Sequence, residues 1–373
     1  MYGLRSSPRR WEDTLAPRLV SEGFKRGENE PSVFHRSSDD VTIICYVDDL
    51  LVSADHKDIE EFFSRLQTRF ERNEPAFLSV AQPIDFIGII ITLTADSISM
   101  SMAEYCTKFL ANMDMAVCKP RGTPFDGNID SSTPLVDSSN ASHYRSGVGG
   151  IGWLVNTIRP DLAYAFSRLG QHVSTPTESA LQSLKHTLRY IQGTKHYSLT
   201  LKFDSLDDQL KNTFTFYTDS DHAGNTEYDN ERRSQSGHIA LQSGVPIMWK
   251  SKAQTVAAVS STEAEIYAAS IATQDYLYLG YIVSELGISD FPTPFTLQID
   301  NQAAIIFADD HSRVSRLKHI DTRQCWVKQM RDRGTMIPCY VPSADNKADL
   351  LTKAHNRPML MHHISPMMNL NGV

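Results

Sequence analysis

From Phe214 onward, the candidate strands and helices follow an order that admits few folds. Three β-branched and apolar runs come first, which favours an antiparallel meander, and strands then alternate with helices. The predicted strands are Phe214–Thr218, Ser236–Gln242, Val245–Trp249, Phe295–Ile299 and Met336–Val341. Helices are predicted over 262–286, after Asp300, over 317–330 and from Asn346. This βββαβαβα order predicts an α/β (α+β) domain, in which a mixed sheet carries helices on its faces.

Four acidic residues fall where strands end or helices begin in this order. Asp219 ends the first strand, Glu265 lies in the first turns of the long helix, Asp300 ends the fourth strand and Asp349 lies in the first turn of the last helix. If the first and fourth strands are neighbours, these carboxylates come together and require a cation between them. Oxygen ligands favour two Mg²⁺ ions, with Mn²⁺ as an alternative, which can hydrolyse a phosphodiester. Asp221 is a competing ligand, and each acid alone is more often a turn or helix-start residue.

The composition is that of a folded chain of roughly two to three domains. The 373 residues are 41% hydrophobic, which excludes a disordered or collagen-like chain. The five cysteines are scattered without a C-x-x-C pair, so we expect no zinc site among them and an intracellular protein, cytoplasmic, nuclear or both. No apolar run approaches the roughly 20 residues that a membrane helix needs, so we expect no membrane partner.

The formal net charge of −8 does not exclude nucleic acid as a partner, because a binding groove needs only a local excess of positive charge. Between Arg313 and Arg333 there are seven basic residues against two acidic ones. Asn301 and Gln302, beside Asp300, are candidates for contact with 2′-hydroxyl groups. The candidate nucleic-acid contacts are Arg232, Arg233, Lys250, Lys252, Asn301, Gln302, Arg313, Arg316, Lys318 and Arg323. The alternative for the basic segment is an ordinary solvated helix face.

The N-terminal half contains a hairpin and two amphipathic helices. Apolar runs at Val41–Val47 and Leu50–Val52 flank Asp48 and Asp49, which predicts two carboxylates at a hairpin tip. Apolar residues at helical spacing predict helices over Asp58–Phe70 and from Thr177 to Gly193.

An ordered series of motifs resembles the Pol polyprotein of copia-type LTR retrotransposons. Tyr46-Val47-Asp48-Asp49 is similar to the Y-x-D-D signature of the polymerase, and FIGI at 86–89 and RPDLAY at 159–164 have counterparts in the family. The third block matches further, with YTDSDHAG, ERRSQSG, WKSKAQ, VSSTEAEIYA, IDNQAAI, LKHID and NKADLLTK. The resemblance implies a partial reverse-transcriptase palm and thumb, followed by a ribonuclease H-like domain with a mixed five-stranded sheet.

The resemblance also assigns boundaries and roles. It implies a truncated palm over residues 1–115, a helical thumb or connection over 116–210, a ribonuclease H-like domain over 211–355 and a tail over 356–373. It carries the four metal-binding carboxylates onto Asp219, Glu265, Asp300 and Asp349, and so favours Asp219 over Asp221. Asp48 and Asp49 match two polymerase carboxylates. The third belongs to a strand that precedes the first matching motif, so we expect no DNA synthesis by this chain alone.

Three functions remain in competition. The first is hydrolysis of RNA in RNA–DNA hybrids by the C-terminal domain, with RNA–DNA hybrid, and a longer Pol chain, as partners. The second is a non-catalytic nucleic-acid-binding or decayed retroelement remnant. The third, a small-molecule phosphohydrolase using the D-S-D of 219–221, leaves the basic segment without a role. We also expect residues 1–115 to aggregate or to be poorly ordered, because the hairpin leaves an apolar strand edge unpaired, and residues 211–355 to fold alone.

Overall fold

The computed structural model describes residues 7–70, 73–127, 129–203, 213–225, 232–255, 257–287, 291–309 and 322–371. They form two compact units: one contains the residues up to Ile91 and Leu277–Phe291, and the other contains Thr92–Tyr276 and the residues from Pro292 on. The predicted boundaries at residues 115, 210 and 355 stay a prediction. In the described part of the chain, every helix is too short or too polar to span a bilayer.

The first unit is built on a small antiparallel sheet. Its elements in chain order are α1 (Ser7–Ser21), β1 (Lys25–Arg26), β2 (Val33–Arg36), β3 (Val41–Tyr46), β4 (Asp49–Ser53), α2 (His56–Gln67), β5 (Ile84–Phe86) and β6 (Ile89–Leu93). The sheet order is β1-β2-β3-β4, with each strand antiparallel to the next. Leu19, Phe34, Ile43 and Phe62 form a buried core between the sheet and the helices. The predicted hairpin and the predicted helix after it are therefore confirmed.

Two tight turns in this unit carry residues with positive φ. The β3–β4 hairpin turns at Val47, with φ of 55°, and Asp48. The turn between β5 and β6 is Ile87-Gly88, with φ of 52° and 85°, and the Gly88 N–H donates to Asp85 Oδ1 at 2.8 Å. Successive positive φ values match the right-handed twist of the flanking strands, which explains the glycine in the FIGI segment.

The second unit begins with a helical layer. Its elements are β7 (Ser97–Ser101), α3 (Ala103–Asn112), α4 (Ser138–Val155), α5 (Ala163–Gly170), α6 (Glu178–Gly193) and β8 (Ser198–Lys202), with a 3₁₀ helix at Pro160–Leu162. The predicted Thr177 start of α6 is confirmed, because its hydroxyl accepts from the Ala180 N–H.

The RPDLAY segment folds around a buried ion pair. Arg159 donates to both carboxylate oxygens of Asp161, at 2.8 and 2.7 Å, and both residues are about 1% exposed. The Tyr190 hydroxyl also donates to Asp161, and Arg159 donates to the Thr194 carbonyl. A bidentate pair of this kind is tolerated inside a protein only when its remaining polar groups are hydrogen-bonded. The segment therefore has a structural role in this unit.

A five-stranded mixed sheet follows. Its elements are β9 (Phe214–Asn225), β10 (Arg233–Gln242), β11 (Val245–Ala253), α7 (Ser261–Glu285), β12 (Phe295–Ile299), α8 (Gln302–Asp309), α9 (Thr322–Asp332), β13 (Met336–Tyr340) and α10 (Arg357–Ile364), with 3₁₀ helices at Ser343–Asp345 and Lys347–Leu351. The strand order is β11-β10-β9-β12-β13. β10 is antiparallel to β9 and β11, whereas β12 is parallel to β9 and β13. This arrangement confirms the predicted mixed five-stranded sheet with helices.

Three sequence predictions about this sheet and the segment that follows it need correction. β9 does not end at Thr218 but continues to Asn225, because β10 pairs with it as far as Arg233↔Asn225. The closing helix from Asn346 is a short 3₁₀ helix, Lys347–Leu351. The segment predicted to be a tail contains α10, which buries Leu360 and His363, and Asn369 bridges to Ser198.

The helical layer and the sheet are tied together within this unit. The Trp249 indole N–H on β11 donates to the Val155 carbonyl at the end of α4, at 2.8 Å. Gln235 Nε2 on β10 donates to Ser167 Oγ on α5, at 2.9 Å. The sheet is thus hydrogen-bonded to helices that precede residue 211.

Candidate active site

The register of two parallel strands places Asp219 beside Asp300. β12 pairs with β9 through Leu297↔Phe216 and Gln298↔Tyr217. Two residues further along each strand, the same register brings Asp300 level with Asp219. Asp300 follows the last residue of β12, as predicted, whereas Asp219 lies inside β9 rather than at its end.

Helix α7 brings the third carboxylate to the same place. The helix begins after Ser260, whose hydroxyl accepts from the Glu263 N–H at 3.2 Å, while Glu263 accepts from the Val259 N–H at 2.8 Å. Small side chains let the first half of α7 pack closely on the sheet, since Ala268 and Ala272 are fully buried. Glu265, in the second turn, therefore lies against β9, where it accepts from the Ser220 N–H at 3.1 Å.

Asp219, Glu265 and Asp300 form an acidic cluster, in which one oxygen from each carboxylate lies within 4.8 Å of the others. Asp219 and Glu265 are each about 5% exposed. Burial raises the pKa of Asp219 to about 7, with Asp349 and Asp300 adding to the increase against the hydrogen bond from Thr352. Burial and the charges of Asp219 and Asp300 also raise the pKa of Glu265 well above its usual value.

The acidic cluster fits a divalent cation of the Mg²⁺ type. Its donors are all carboxylate oxygens, the ligands that Mg²⁺ and Mn²⁺ prefer. Among the described residues, Glu265 Oε2 is buried without a hydrogen-bond partner. A buried charged oxygen without a donor is costly, and a bound cation would remove that cost. Asp221 does not belong to the cluster.

Two buried polar side chains hold Asp219 in place. The Thr352 hydroxyl donates to Asp219 Oδ2. Asn346 Nδ2 donates to the Thr218 carbonyl at 3.0 Å, and its Oδ1 accepts from the Ala348 N–H at 3.1 Å. Asn346 therefore caps the 3₁₀ helix that carries Asp349 and fixes that helix to β9.

Asp349 lies near the acidic cluster but makes other contacts. Its Oδ1 pairs with Lys353 Nζ, and its Oδ2 lies 3.5 Å from His355 Nε2 and 3.7 Å from His363 Nε2. Burial disfavours ionisation of Asp349, but His363 and Lys353 outweigh it and lower its pKa. Three of the four predicted carboxylates are thus brought together, and the fourth is adjacent and engaged by cationic and imidazole groups.

Sequence reasoning missed the residues around Asp349. Lys353, His355 and His363 follow Asp349 within fifteen residues. Two histidines so soon after a predicted metal ligand were the sequence signal that could have indicated these contacts. Assigning 356–373 to a tail concealed the return of α10 to Asp349. Burial lowers the pKa of His355 and so disfavours its charged form.

The residues predicted to contact nucleic acid differ in their exposure and in the partners that they already have. Lys252 and Arg232 are exposed. Lys250 donates to Asp275 Oδ2 at 2.9 Å, so its ammonium is already paired. Asn301 Oδ1 accepts from the Ala304 N–H at 3.0 Å and caps α8.

The remaining predicted contacts are described only in part. Gln302 is exposed at the start of α8, and Arg233 is partly buried in β10. Arg313, Arg316 and Lys318 lie outside the described residues. Arg323 lies in α9, but its side chain is not among those described. Lys328, counted in the same basic segment, is 8% exposed, which disfavours it as a phosphate contact.

The predicted polymerase carboxylates lie in the first unit. Asp48 is in the turn between β3 and β4, Asp49 is the first residue of β4, and both are exposed. Among the described residues, neither belongs to a group of three potential metal ligands.

Comparisons with known proteins show which family and relatives the chain is similar to. The reverse transcriptase (RNA-dependent DNA polymerase) family matches residues 1–126. The chain is 30% identical, over 95% of its length, to the retrovirus-related Pol polyprotein from transposon TNT 1-94 of Nicotiana tabacum. It is also 30% identical to the Pol polyprotein from transposon RE1 of Arabidopsis thaliana over 98% of its length, and to a transposon Ty5-1 protein of Saccharomyces cerevisiae over 72%.

The chain spans 26% and 24% of the first two relatives and 85% of the third. Two solved structures are similar to part of it. The N-terminal RNase H domain of a Mycobacterium tuberculosis protein covers 37% of this chain and 89% of that one, at 16% identity and a TM-score of 0.28. LC11-RNase H1, isolated from compost, covers 38% and 93%, at 14% identity and a TM-score of 0.29.

The chain therefore begins with a segment of the reverse transcriptase family, and its relatives of 30% identity are retrotransposon proteins. It belongs to the family of copia-type retrotransposon Pol polyproteins.

Proposed function

We propose that the second unit hydrolyses the RNA strand of RNA–DNA hybrids. The observation that carries this proposal is the acidic cluster, since three carboxylates from β9, α7 and the end of β12 lie together, and burial and neighbouring charges raise the pKa values of Asp219 and Glu265. Such an arrangement costs stability unless a cation occupies it, and acid–base tuning of this kind is typical of functional sites.

Asp219, Glu265 and Asp300 would hold Mg²⁺, with Asp349 completing the set for a second ion; Mn²⁺ is an alternative. Two bound Mg²⁺ would supply charge neutralisation and a reactive water for in-line attack on a phosphodiester. The chain's own residues position these ions: Thr352 and Asn346 fix Asp219, and the Ser220 N–H orients Glu265.

The substrate would be gripped by exposed basic residues around the site. Arg232 and Lys252 are exposed near the β10–β11 edge of the sheet, and the basic residues predicted at Arg313, Arg316, Lys318 and Arg323 would add to them. Gln302, exposed beside Asp300, is suited to contact a 2′-hydroxyl, which distinguishes RNA from DNA. RNA–DNA hybrid, and a longer Pol chain, are the expected partners, in an intracellular setting.

The first unit would contribute no DNA synthesis by itself. Asp48 and Asp49 are exposed at a hairpin tip, and no third potential ligand joins them among the described residues. Two adjacent carboxylates hold a cation poorly in water.

The second candidate is a nucleic-acid-binding remnant that does not cut. One observation favours it, namely the pairing of Asp349 with Lys353, which draws the fourth carboxylate into an ion pair.

The full chain should be incubated with labelled RNA–DNA hybrid, double-stranded RNA and double-stranded DNA, each with Mg²⁺ or with EDTA. Mg²⁺-dependent cutting of the hybrid RNA strand alone supports the proposed hydrolysis. Binding of the hybrid without cutting, in Mg²⁺ and in Mn²⁺, contradicts it and favours the second candidate.

A further inference from the structure

A second group of potential metal ligands lies on the segment that follows β13. Asp349 is in the 3₁₀ helix Lys347–Leu351, His355 follows that helix, and His363 is in the last turn of α10. One ligand atom from each residue lies within 4.8 Å of the others, and the two imidazole rings have centroids 5.2 Å apart. We name these three residues the Asp349–His355–His363 group.

His363 provides the observation that points to a ligand. Its side chain is fully buried, and neither ring nitrogen has a hydrogen-bond partner among the residues that the structure describes. Its Nε2 lies 3.7 Å from Asp349 Oδ2, too far for a hydrogen bond but directed into the group. A buried imidazole without a partner is costly, and a ligand at that nitrogen would remove the cost.

The two oxygens of Asp349 have different neighbours. Lys353 Nζ pairs with Oδ1, while Oδ2 faces His355 at 3.5 Å and His363 at 3.7 Å. His355 Nε2 also lies 3.0 Å from the Asp349 carbonyl, a contact that a metal ion at this nitrogen would replace. Two ligand atoms of a tetrahedral zinc ion lie about 3.3 Å apart, so the distances to Oδ2 require only a small closure. Lys353 can keep its contact with Oδ1 while Oδ2 binds a metal, because ligating carboxylates commonly have a hydrogen-bonded partner outside the metal.

We propose that Asp349, His355 and His363 bind a divalent transition metal of the Zn²⁺ type, at a site separate from the acidic cluster. Imidazole nitrogens favour Zn²⁺ over Mg²⁺, whereas the oxygen-only acidic cluster has the opposite preference. Three protein ligands leave one tetrahedral position open to water. The two sites are therefore distinguishable by the metal they select.

One consequence rests on the proposed function. Asp349 is also the acid expected to complete the Mg²⁺ site, so a Zn²⁺ ion bound through Oδ2 would withhold it from hydrolysis. Zn²⁺ would then inhibit cleavage of the hybrid. Binding of the metal itself does not depend on that activity.

The test uses Co²⁺ as a spectroscopic probe for the full chain in the presence of excess Mg²⁺. Co²⁺ bound to two imidazoles and a carboxylate gives visible d–d absorption, whereas hydrated Co²⁺ absorbs only weakly. The variants are His355→Ala and His363→Gln. The control is His362→Ala, because His362 is exposed, is the neighbour of His363 and contacts the Ala344 carbonyl instead.

We expect the wild-type chain and His362→Ala to bind one equivalent of Co²⁺ with the visible bands. Each of the two ligand variants should lose at least about tenfold in affinity. Circular dichroism reports whether each variant is folded. If His363→Gln does not fold, the Co²⁺ affinity of His355→Ala alone tests the metal site.

Absence of the visible bands in the wild-type chain overturns the proposal, as does equal Co²⁺ affinity in the wild-type chain and in folded His355→Ala. A hybrid-cleavage assay that fails does not alter either outcome, so failure of the proposed hydrolysis and failure of this site are distinguishable.

Discussion

Asp300 lies level with Asp219 on the neighbouring parallel strand, because the β9–β12 pairing is set two residues earlier by Leu297↔Phe216 and Gln298↔Tyr217. A slip of one residue in a strand reverses which face each side chain occupies. The acidic cluster therefore depends on the register of a single strand pair, and the helix that carries Glu265 packs over it.

Neutralising Glu265 should stabilise the metal-free chain. In EDTA at neutral pH we expect Glu265→Gln to raise the free energy of unfolding by at least about 1 kcal/mol, because a buried acid with a raised pKa opposes folding when it would otherwise ionise. The variant should also lose the increase in Tm that Mg²⁺ gives the wild type. Glu104→Gln, an exposed acid paired with Lys108, is the control and should change neither quantity. A Glu265→Gln chain that Mg²⁺ still stabilises fully would refute the cation site.

Asn346 should contribute more to stability than an ordinary helix cap. Asn346→Ala removes a cap and a buried hydrogen bond to the Thr218 carbonyl, so we expect a loss of about 2–3 kcal/mol. Asn356, which caps α10 at an exposed position, is the matched control, with an expected loss of about 1 kcal/mol for Asn356→Ala. Urea unfolding measures both, and equal losses would argue against the link between the 3₁₀ helix and β9.

Breaking the buried Arg159–Asp161 pair should be severe. Arg159→Met leaves the Asp161 carboxylate buried without its partner, which we expect to cost about 3–5 kcal/mol. Arg65→Met is the control, because Arg65 pairs with Glu61 on an exposed helix face and should cost under about 1 kcal/mol. Thermal unfolding distinguishes the two variants. A mild effect at Arg159 would show that the RPDLAY segment is not a structural core element.

The sequence predicts helices and strands well where the local pattern of apolar residues matches their burial in the folded chain. The bounds of Phe295–Ile299 match, since an alternating apolar run lies between Pro294 and Asp300. β9 is different, because TDSDHAG is polar and reads as a loop, yet pairing with β10 continues through Ser220 and Asp221. The length of this strand is set by backbone pairing with β10, which its polar side chains do not reveal.

The candidate site is predictable to a similar extent. Strand and helix ends indicated Asp219, Glu265 and Asp300, which the structure brings together. The surroundings of Asp349 were not predictable, since α10 has only eight residues, which is too short a run to show a helical period. Its burial against Asp349 depends on a chain reversal that local sequence does not encode.

Acidification should destabilise the second unit through His172. Burial, with a contribution from the charge of Arg168, lowers the pKa of His172 from 6.5 to about 4. The unfolded chain therefore binds more protons than the folded chain between these pH values, so the free energy of unfolding falls as pH decreases from about 6.5 to 4. The contribution is roughly 2–3 kcal/mol.

His172→Gln should flatten that part of the pH profile, measured by urea unfolding at several pH values. His196→Gln, which changes an exposed histidine between α6 and β8 of the same unit, is the control and should leave the slope unchanged. A wild-type slope that persists in His172→Gln would show that other groups dominate the acid sensitivity.

Single-turnover cleavage of a labelled RNA–DNA hybrid by the full chain, comparing Asp300→Asn with Asp345→Asn, tests the proposed hydrolysis most directly. Asp345 is exposed in the 3₁₀ helix that precedes Asp349, so both variants remove one nearby negative charge but only one belongs to the acidic cluster. We expect Mg²⁺-dependent cutting of the RNA strand, a loss of at least about 100-fold in Asp300→Asn and nearly unchanged cutting in Asp345→Asn. Cutting that survives Asp300→Asn, or a folded wild-type chain that binds the hybrid without cutting it, would contradict the account.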